Sequence, residues 1–328
     1  MATSILPQIT AKDYRVGHSN DWCPGCGDFG ILHAIQQAVA AIPLPPHEVA
    51  VFGGIGCSGK TLYNLPVYGV HTLHGRVLSF ATGAKLANPD LTVLAVGGDG
   101  DGLGIGAGHF VNTGRRNVDL TYILFNNEVY GLTKGQAAPT LAMGLQTKSL
   151  PEPNIQGEVN ALMLAMASGF TWIGRGYAFH VKQLVDLVQR AIRHPGLAFL
   201  EVLQPCPTYN DLHTKDWFAE SSAGSGQPRV YALDQTDYDA VISEAASEAD
   251  VCAQMPAFIA KAHEGGDRIP TGVFWENRTV PSFEMRLASR LPSYRKSPPA
   301  RRAIANAQGR STADLRQLFD ELTVTSGA

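Results

Sequence analysis

The sequence predicts an α/β protein: a parallel sheet with helices on both faces, followed by an irregular and helical C-terminal extension. Three observations lead there. Short apolar runs rich in branched residues recur at 49–52, 91–96, 120–125 and 198–203, each bounded by Gly, Pro, Asn or Asp. Beside and between them, 31–42, 105–113, 160–167 and 181–192 place apolar residues three and four apart. Polar segments follow two of the runs directly, at Gly98-Asp99-Gly100 and Asn126-Asn127.

Each element follows from its residues. The runs are too short for helices and continuous rather than alternating, as in strands buried on both faces. The intervening stretches carry the helical period, and the alternation of the two argues for right-handed βαβ crossovers. Such sheets bind ligands beyond the carboxyl ends of their strands, so both polar segments are expected on one rim. The pattern weakens after Leu212: 234–262 reads as one or two helices and 265–299 as irregular and punctuated by proline. The expected division is one large domain over 1–232 and an extension over 233–328.

With 328 residues, 45% hydrophobic and 17% charged, the chain can bury one large core. A net charge of -3 supplies no positive field for nucleic acid. Residues 1–15 lack the basic start and apolar run of a signal peptide, and no run of about eighteen apolar residues occurs, so a cytoplasmic protein without a membrane partner is expected. In a reducing compartment, 5 cysteines in a chain of this length favour metal or redox chemistry over disulfides. Cys252, in a polar helical stretch, stands apart. Arg286, Arg290, Arg295, Lys296, Arg301, Arg302 and Arg310 follow one another with no acid between them. A solvated tail wrapping the subunit is the favoured reading, and a docking surface for an acidic protein the other.

A magnesium ion wants an octahedron of hard oxygens, one or two from the protein and the rest from phosphate and water. Asp99 and Asn127 can supply two. The glycines of Gly97-Gly98-Asp99-Gly100-Asp101-Gly102 let backbone amides approach a phosphate, and the helix expected to open just beyond favours the same anion. Cys23-Pro24-Gly25-Cys26 spaces two thiols to reach one metal centre, and an iron–sulfur cluster on four cysteines needs two more. Cys57, in a glycine-rich turn, and Cys206, between Pro205 and Pro207, each follow an expected strand. A thioredoxin-like redox pair remains open, although no strand precedes the motif, as does zinc on four thiolates.

The paired Gly98-Asp99-Gly100 and Asn126-Asn127 segments resemble the signature of thiamine diphosphate enzymes. Asn126-Asn127-Glu128-Val129-Tyr130-Gly131-Leu132-Thr133-Lys134-Gly135-Gln136 looks like the diphosphate-binding segment of 2-oxoacid:ferredoxin oxidoreductase β subunits. Trp22-Cys23-Pro24-Gly25-Cys26-Gly27, Gly56-Cys57-Ser58-Gly59 and Pro205-Cys206 match that family's cluster segments in order. The resemblance implies a thiamine diphosphate-binding (diphosphate-domain) fold over 1–232 that carries a 4Fe-4S cluster. It implies Cys23, Cys26, Cys57 and Cys206 on the cluster, with Asp99, Asn127 and the Val129 carbonyl on magnesium. Gly98, Gly100, Asp101, Gly131 and Leu132 would line the diphosphate. Ile55, Gly56, Cys57 and Ser58 resemble a further cofactor contact, which sets cluster and cofactor side by side. His74 touches the diphosphate by the same resemblance, its plain alternative being a strand-end histidine. Lys134 is the second catalytic candidate, for a substrate carboxylate or a coenzyme A phosphate. His71, His109 and Glu128 read first as structural.

The reaction so implied is oxidative decarboxylation of a 2-oxo acid with coenzyme A to an acyl-CoA, carbon dioxide and reduced ferredoxin, reversible as reductive carboxylation. In that superfamily the carboxylate that activates the cofactor comes from a separate pyrimidine-binding domain. One α/β core fills most of this chain, so an α subunit is expected to supply it, in an (αβ)2 assembly. No dense cysteine run marks a second cluster, and electrons are expected to leave to external ferredoxin. The short β subunit resembles the 2-oxoglutarate type, with pyruvate as the alternative acid. The alternative classes are a non-redox thiamine decarboxylase with structural zinc and a scaffold subunit that has lost its cofactor.

Overall fold

The computed structural model describes residues 9–220 and 226–323. The first eight residues, part of the segment read as lacking a leader, lie outside the described residues, as do 221–225 and the end of the expected extension, 324–328. The strands are β1 (Val49–Gly53), β2 (Tyr68–His71), β3 (Thr92–Gly98), β4 (Thr121–Asn126), β5 (Val129–Tyr130), β6 (Gln136–Ala137), β7 (Trp172–Tyr177), β8 (Ala198–Leu203), β9 (Val230–Ala232), β10 (Val241–Ile242) and β11 (Ile269–Asn277). Apart from the β5–β6 hairpin, the described strands form one sheet in the order β10-β11-β7-β8-β4-β3-β1-β2, with β9 beside β11. Its pairings are parallel except that of β11 with β7.

Strands buried on both faces send alternate side chains to opposite cores. Ile123 and Phe125 of β4 enter one core, and Tyr122 and Leu124 the other. The helices include α1 (Asp28–Ala41), α2 (Val77–Ala87), α3 (Ala107–Gly114), α4 (Ala161–Ser168), α5 (Val181–Arg193), α6 (Lys215–Ala219), α7 (Glu248–Ala262) and α8 (Phe283–Arg290). α1 and α5 cover the first face, and α2, α3, α4 and α7 the second. α5 buries Leu184, Leu187, Val188 and Ala191, one stripe at helical spacing, and carries Arg190 and Arg193 in its last turn, where the helix dipole favours cations.

Four strands and four helices fall where the sequence places them. The stretch 265–299, expected to be irregular, instead contains β11, buried at every position. Pro270 and Gly272 inside it disguise the strand. Within 234–262 the α-helix is confined to Glu248–Ala262, while Val241–Ile242 joins the sheet. β9 and β11 pair across the expected boundary at 232/233, so residues on both sides of it share one sheet.

The basic tail turns back along the amino ends of the parallel strands. The Glu284 carboxylate accepts from Asp119 N–H at 3.1 Å just before β4. The buried Tyr294 hydroxyl donates to Leu86 O at 2.8 Å, and Arg301 pairs with Asp90 at 2.5 Å just before β3. Arg286 donates to the Arg116 carbonyl and lies over the Phe283 ring. This part of the tail wraps its own subunit, at the end of the sheet away from the strand-end rim.

Candidate functional site

Five strands deliver their carboxyl ends to one rim, and the loops that follow β1, β2, β3, β4 and β8 meet there. A cavity of about 250 Å³ opens among them. Its lining includes Ile55, Gly56, Cys57 and Ser58 after β1, His74 after β2, and Gly98, Asp99, Gly100 and Asp101 at the end of β3. Asn127, Val129, Gly131 and Leu132 close it from β4 and the hairpin. Tyr130 and Thr133, which the sequence did not single out, line it too. Lys134 is outside this lining, exposed at the hairpin turn.

Asp101 ties three of these loops together. Its Oδ1 accepts from Ile55 N at 3.0 Å, from Gly75 N at 2.8 Å and lies 2.8 Å from His74 Nδ1. That contact leaves His74 Nε2 as the nitrogen available to a ligand. The loops approach so closely that a Cβ on Gly54 would come within 2.0 Å of Asp101 Oδ2. Gly56 holds φ +141, a conformation that favours glycine. After Asp99 the chain winds through a wide π-type turn over Gly100–Ile105, a form frequent at functional sites.

Asp99 is buried, and burial pushes its carboxyl up to about 7. Its Oδ2 accepts from Glu128 N at 3.0 Å and lies 2.5 Å from Thr140 Oγ1. The Thr140 hydroxyl is also 2.8 Å from Asn126 Oδ1, one proton between two acceptors. Asn127 Oδ1 accepts one bond, from Val129 N at 3.1 Å, which leaves it a second lone pair. A buried carboxylate short of compensating charge and an amide oxygen with spare capacity are the donor set a hard divalent cation takes. Glu128 and Lys134 hold φ +66 and +82, left-handed backbone that costs a residue with a side chain about 1–3 kcal/mol. The Glu128 carboxylate is engaged by Asn210 Nδ2 at 2.9 Å and His213 Nδ1 at 2.6 Å. His71 binds Gly54 O and Tyr63, and His109 meets Arg76 at the surface.

The thiols gather on the same rim. Cys26 N donates to Cys23 O at 3.0 Å, closing a turn with Pro24 and Gly25 at its centre and Gly25 at φ +83. Trp22 Nε1 donates to Cys57 O at 2.8 Å and Gly27 N to Pro205 O at 3.3 Å, so this turn is tied to both other cysteine loops. Cys57 belongs to the cavity as well, since a Cβ on Gly131 would lie 3.7 Å from its sulfur. Burial, then the charge of Asp28, pushes Cys57 up to about 11, and burial raises Cys26 and Cys206 as well. Cys206 and Cys23 also add to the Cys57 shift, which reflects how close the thiols stand. Thiols held neutral by burial become ligands when a metal replaces their protons. Among the described residues no three His, Cys, Asp or Glu side chains close on a point that would hold a single metal ion. A cubane, each of whose irons takes one thiolate, asks for a wider set.

Three polar residues here escaped sequence reasoning. Asp28, at the start of α1, is fully buried and has no hydrogen-bond partner among the described residues apart from the neighbouring Cys26 thiol. Thr140 has no local signal. Gln204 could have been found from its place at the end of β8, immediately before Pro205-Cys206.

A glycine-rich loop and Asn127, at adjacent strand ends and lining one cavity, form the arrangement of the diphosphate half of a thiamine diphosphate enzyme. Residues 54–202 match the model of the thiamine pyrophosphate enzyme C-terminal TPP binding domain, and 206–290 match the C-terminal model of the pyruvate ferredoxin oxidoreductase beta subunit. The chain is 52% identical over 309 residues to the 2-oxoacid:ferredoxin oxidoreductase subunit beta of Saccharolobus solfataricus, covering 93% of this chain and 97% of that one. It is 48% identical over 314 residues to the beta subunit of 2-oxoacid:ferredoxin oxidoreductase 2 of Aeropyrum pernix, covering 95% and 98%. The 2-oxoglutarate:ferredoxin oxidoreductase from Magnetococcus marinus, solved with 2-oxoglutarate, coenzyme A and succinyl-CoA bound, superposes with a TM-score of 0.77 at 30% identity over 98% of each chain. The chain belongs to the β subunits of the 2-oxoacid:ferredoxin oxidoreductases. No helix among the described residues is long and apolar enough to cross a membrane.

Proposed function

We propose that this β subunit holds magnesium thiamine diphosphate and a 4Fe-4S cluster side by side on the strand-end rim and serves the CoA-dependent oxidative decarboxylation of 2-oxoglutarate, with ferredoxin as electron acceptor. The observation that carries the proposal is Cys57, which stands both among the four thiols and in the wall of the cavity. Asp99, Asn127 and the Val129 carbonyl would hold magnesium, and Gly98, Gly100, Gly131 and Leu132 would line the diphosphate. Cys23, Cys26, Cys57 and Cys206 would hold the cluster. Bound thiamine diphosphate supplies the electron sink that lets a 2-oxo acid lose carbon dioxide, and a cluster accepts electrons one at a time. His74, oriented by Asp101, offers Nε2 to the diphosphate, and Asp101 itself acts by holding the loops. Lys134, exposed beside the cavity mouth, is offered to a carboxylate or phosphate of substrate or coenzyme A. The α subunit would close the cavity with its pyrimidine-binding domain in an (αβ)2 assembly.

The 2-oxoglutarate assignment rests on the solved relative that matches this chain end to end. Pyruvate is the second reading, favoured by the pyruvate-type model matched over 206–290. Anaerobic purification with the α subunit tests both, by iron and acid-labile sulfide analysis and by turnover of each acid with coenzyme A and a low-potential dye. Four irons per β chain and a preference for 2-oxoglutarate are expected. A protein without iron, or one that turns over 2-oxo acids without reducing the dye, overturns the proposal.

A further inference from the structure

Gln204 lies between the two halves of the proposed site and is assigned to neither. It directly follows β8, is 2% exposed, and its backbone N–H is held by Asn126 O at 2.8 Å. Its side-chain amide makes three hydrogen bonds. Oε1 accepts from Asn127 Nδ2 at 2.8 Å, while Nε2 donates to Cys26 Sγ at 3.3 Å and to Pro205 O at 2.9 Å. The orientation of each amide is determined by its partners. Val129 N–H donates to Asn127 Oδ1, so Asn127 presents its NH2 to Gln204, and a turned-over Gln204 would set two donors against each other. Gly27 holds the side chain in place, because a Cβ there would come 2.9 Å from Gln204 Cγ. A directed chain therefore runs from the Val129 N–H through Asn127 and Gln204 to the sulfur of Cys26.

We propose that Gln204 is a positioning residue that couples the two centres, raising the cluster's reduction potential through its N–H···S bond and making that potential respond to the cation held at Asn127. The inference rests on the function proposed above. A donor to a cluster thiolate favours the reduced, more negative state, so the bond moves the potential upward. With a cation on Oδ1, Asn127 becomes a stronger donor through Nδ2, and Gln204, polarised in turn, donates more strongly to Cys26. Linkage makes the effect reciprocal: reduction of the cluster tightens the cation at Asn127 by the same factor. Only polarisation passes along the chain, and no bond is made or broken.

Redox titration of the anaerobic αβ complex, followed by electron paramagnetic resonance, tests the coupling with and without saturating magnesium and thiamine diphosphate. The wild-type cluster is expected to titrate at a more positive potential with the cofactor than without it. In Gln204→Leu and Gln204→Met, which keep bulk and remove the donor, the potential is expected to move negative and its dependence on cofactor to vanish. A merely structural role would leave a formed cluster's potential unmoved. If a variant fails to assemble its cluster, the wild-type comparison decides by itself. A wild-type potential indifferent to cofactor, or a variant cluster at the wild-type potential, overturns the inference while the proposed function stands. A complex devoid of iron overturns both.

Discussion

Replacing Asp101 with alanine should loosen the cavity walls through lost hydrogen bonds. The buried Oδ1 holds two backbone donors, Ile55 N and Gly75 N, and hydrogen bonds to a charged acceptor contribute about 2 kcal/mol each, so roughly 4 kcal/mol is lost. The His74 contact adds little, because its ring is partly exposed and screened. Removal of Oδ2, which is buried without a hydrogen-bond partner among the described residues, returns about 1 kcal/mol, leaving a net cost near 3 kcal/mol. Asp101→Asn keeps an acceptor at Oδ1 and places an NH2 in the neighbourhood of Tyr122, whose hydroxyl also lacks a partner among the described residues, so its cost should be about 1 kcal/mol. Urea unfolding followed by tryptophan fluorescence measures both. At a slope of about 3 kcal/mol per molar, the alanine midpoint should fall by about 1 M and the asparagine midpoint by about a third of that. An alanine variant that unfolds no earlier than the asparagine variant would refute the loop-tying role of Oδ1.

Three further outcomes are expected. Burial pushes His194 from 6.5 down to about 4, so the unfolded chain takes up a proton that the folded one resists. Stability is then fully present above pH 6.5 and lost as pH falls toward 4, by about 3 kcal/mol at most. His194→Gln should flatten that limb of a pH–stability profile, and an unchanged profile would count against it. Arg175→Met leaves the buried Glu201 carboxylate with its Asn126 bond and without its 2.7 Å ion pair, and should cost about 3–5 kcal/mol in thermal unfolding. Adding Glu201→Gln should recover much of that loss, and a double variant no better than the single one would contradict the charge argument. Thr140→Val removes the hydroxyl between Asp99 and Asn126, and calorimetric titration should show magnesium affinity, at fixed thiamine diphosphate, reduced roughly 10- to 100-fold. Unaltered affinity would speak against Asp99 as a magnesium ligand.

What the sequence discloses depends on how local each signal is. β1, β3, β4 and β8 are legible because strands buried on both faces are apolar at most steps, with Glu201 breaking the run in β8. β7 hides because Gly174, Arg175 and Gly176 interrupt it, and Arg175 is tolerable there only because Glu201 faces it from the neighbouring strand. β11 hides behind Pro270 and Gly272 and pairs with a strand formed about a hundred residues earlier. The same division holds at the site. Gly98-Asp99-Gly100, Asn126-Asn127 and the cysteine segments are short and sit directly after strands, so their chemistry can be read in place. Thr140 meets Asp99 from across the hairpin, and Gln204 meets Cys26 only because α1 begins beside the end of β8. Contacts of that kind have no period or spacing to reveal them.

The strap of residues 278–301 has a consequence for how the molecule divides its labour. By clasping the amino ends of β3 and β4 it covers part of one pole of the sheet with the chain's own material. The loops that line the candidate cavity stand at the opposite pole, where, on the function proposed above, reactants would enter and charge would leave. Changes made under the clasp would alter how firmly the body holds together while the business end kept its outline.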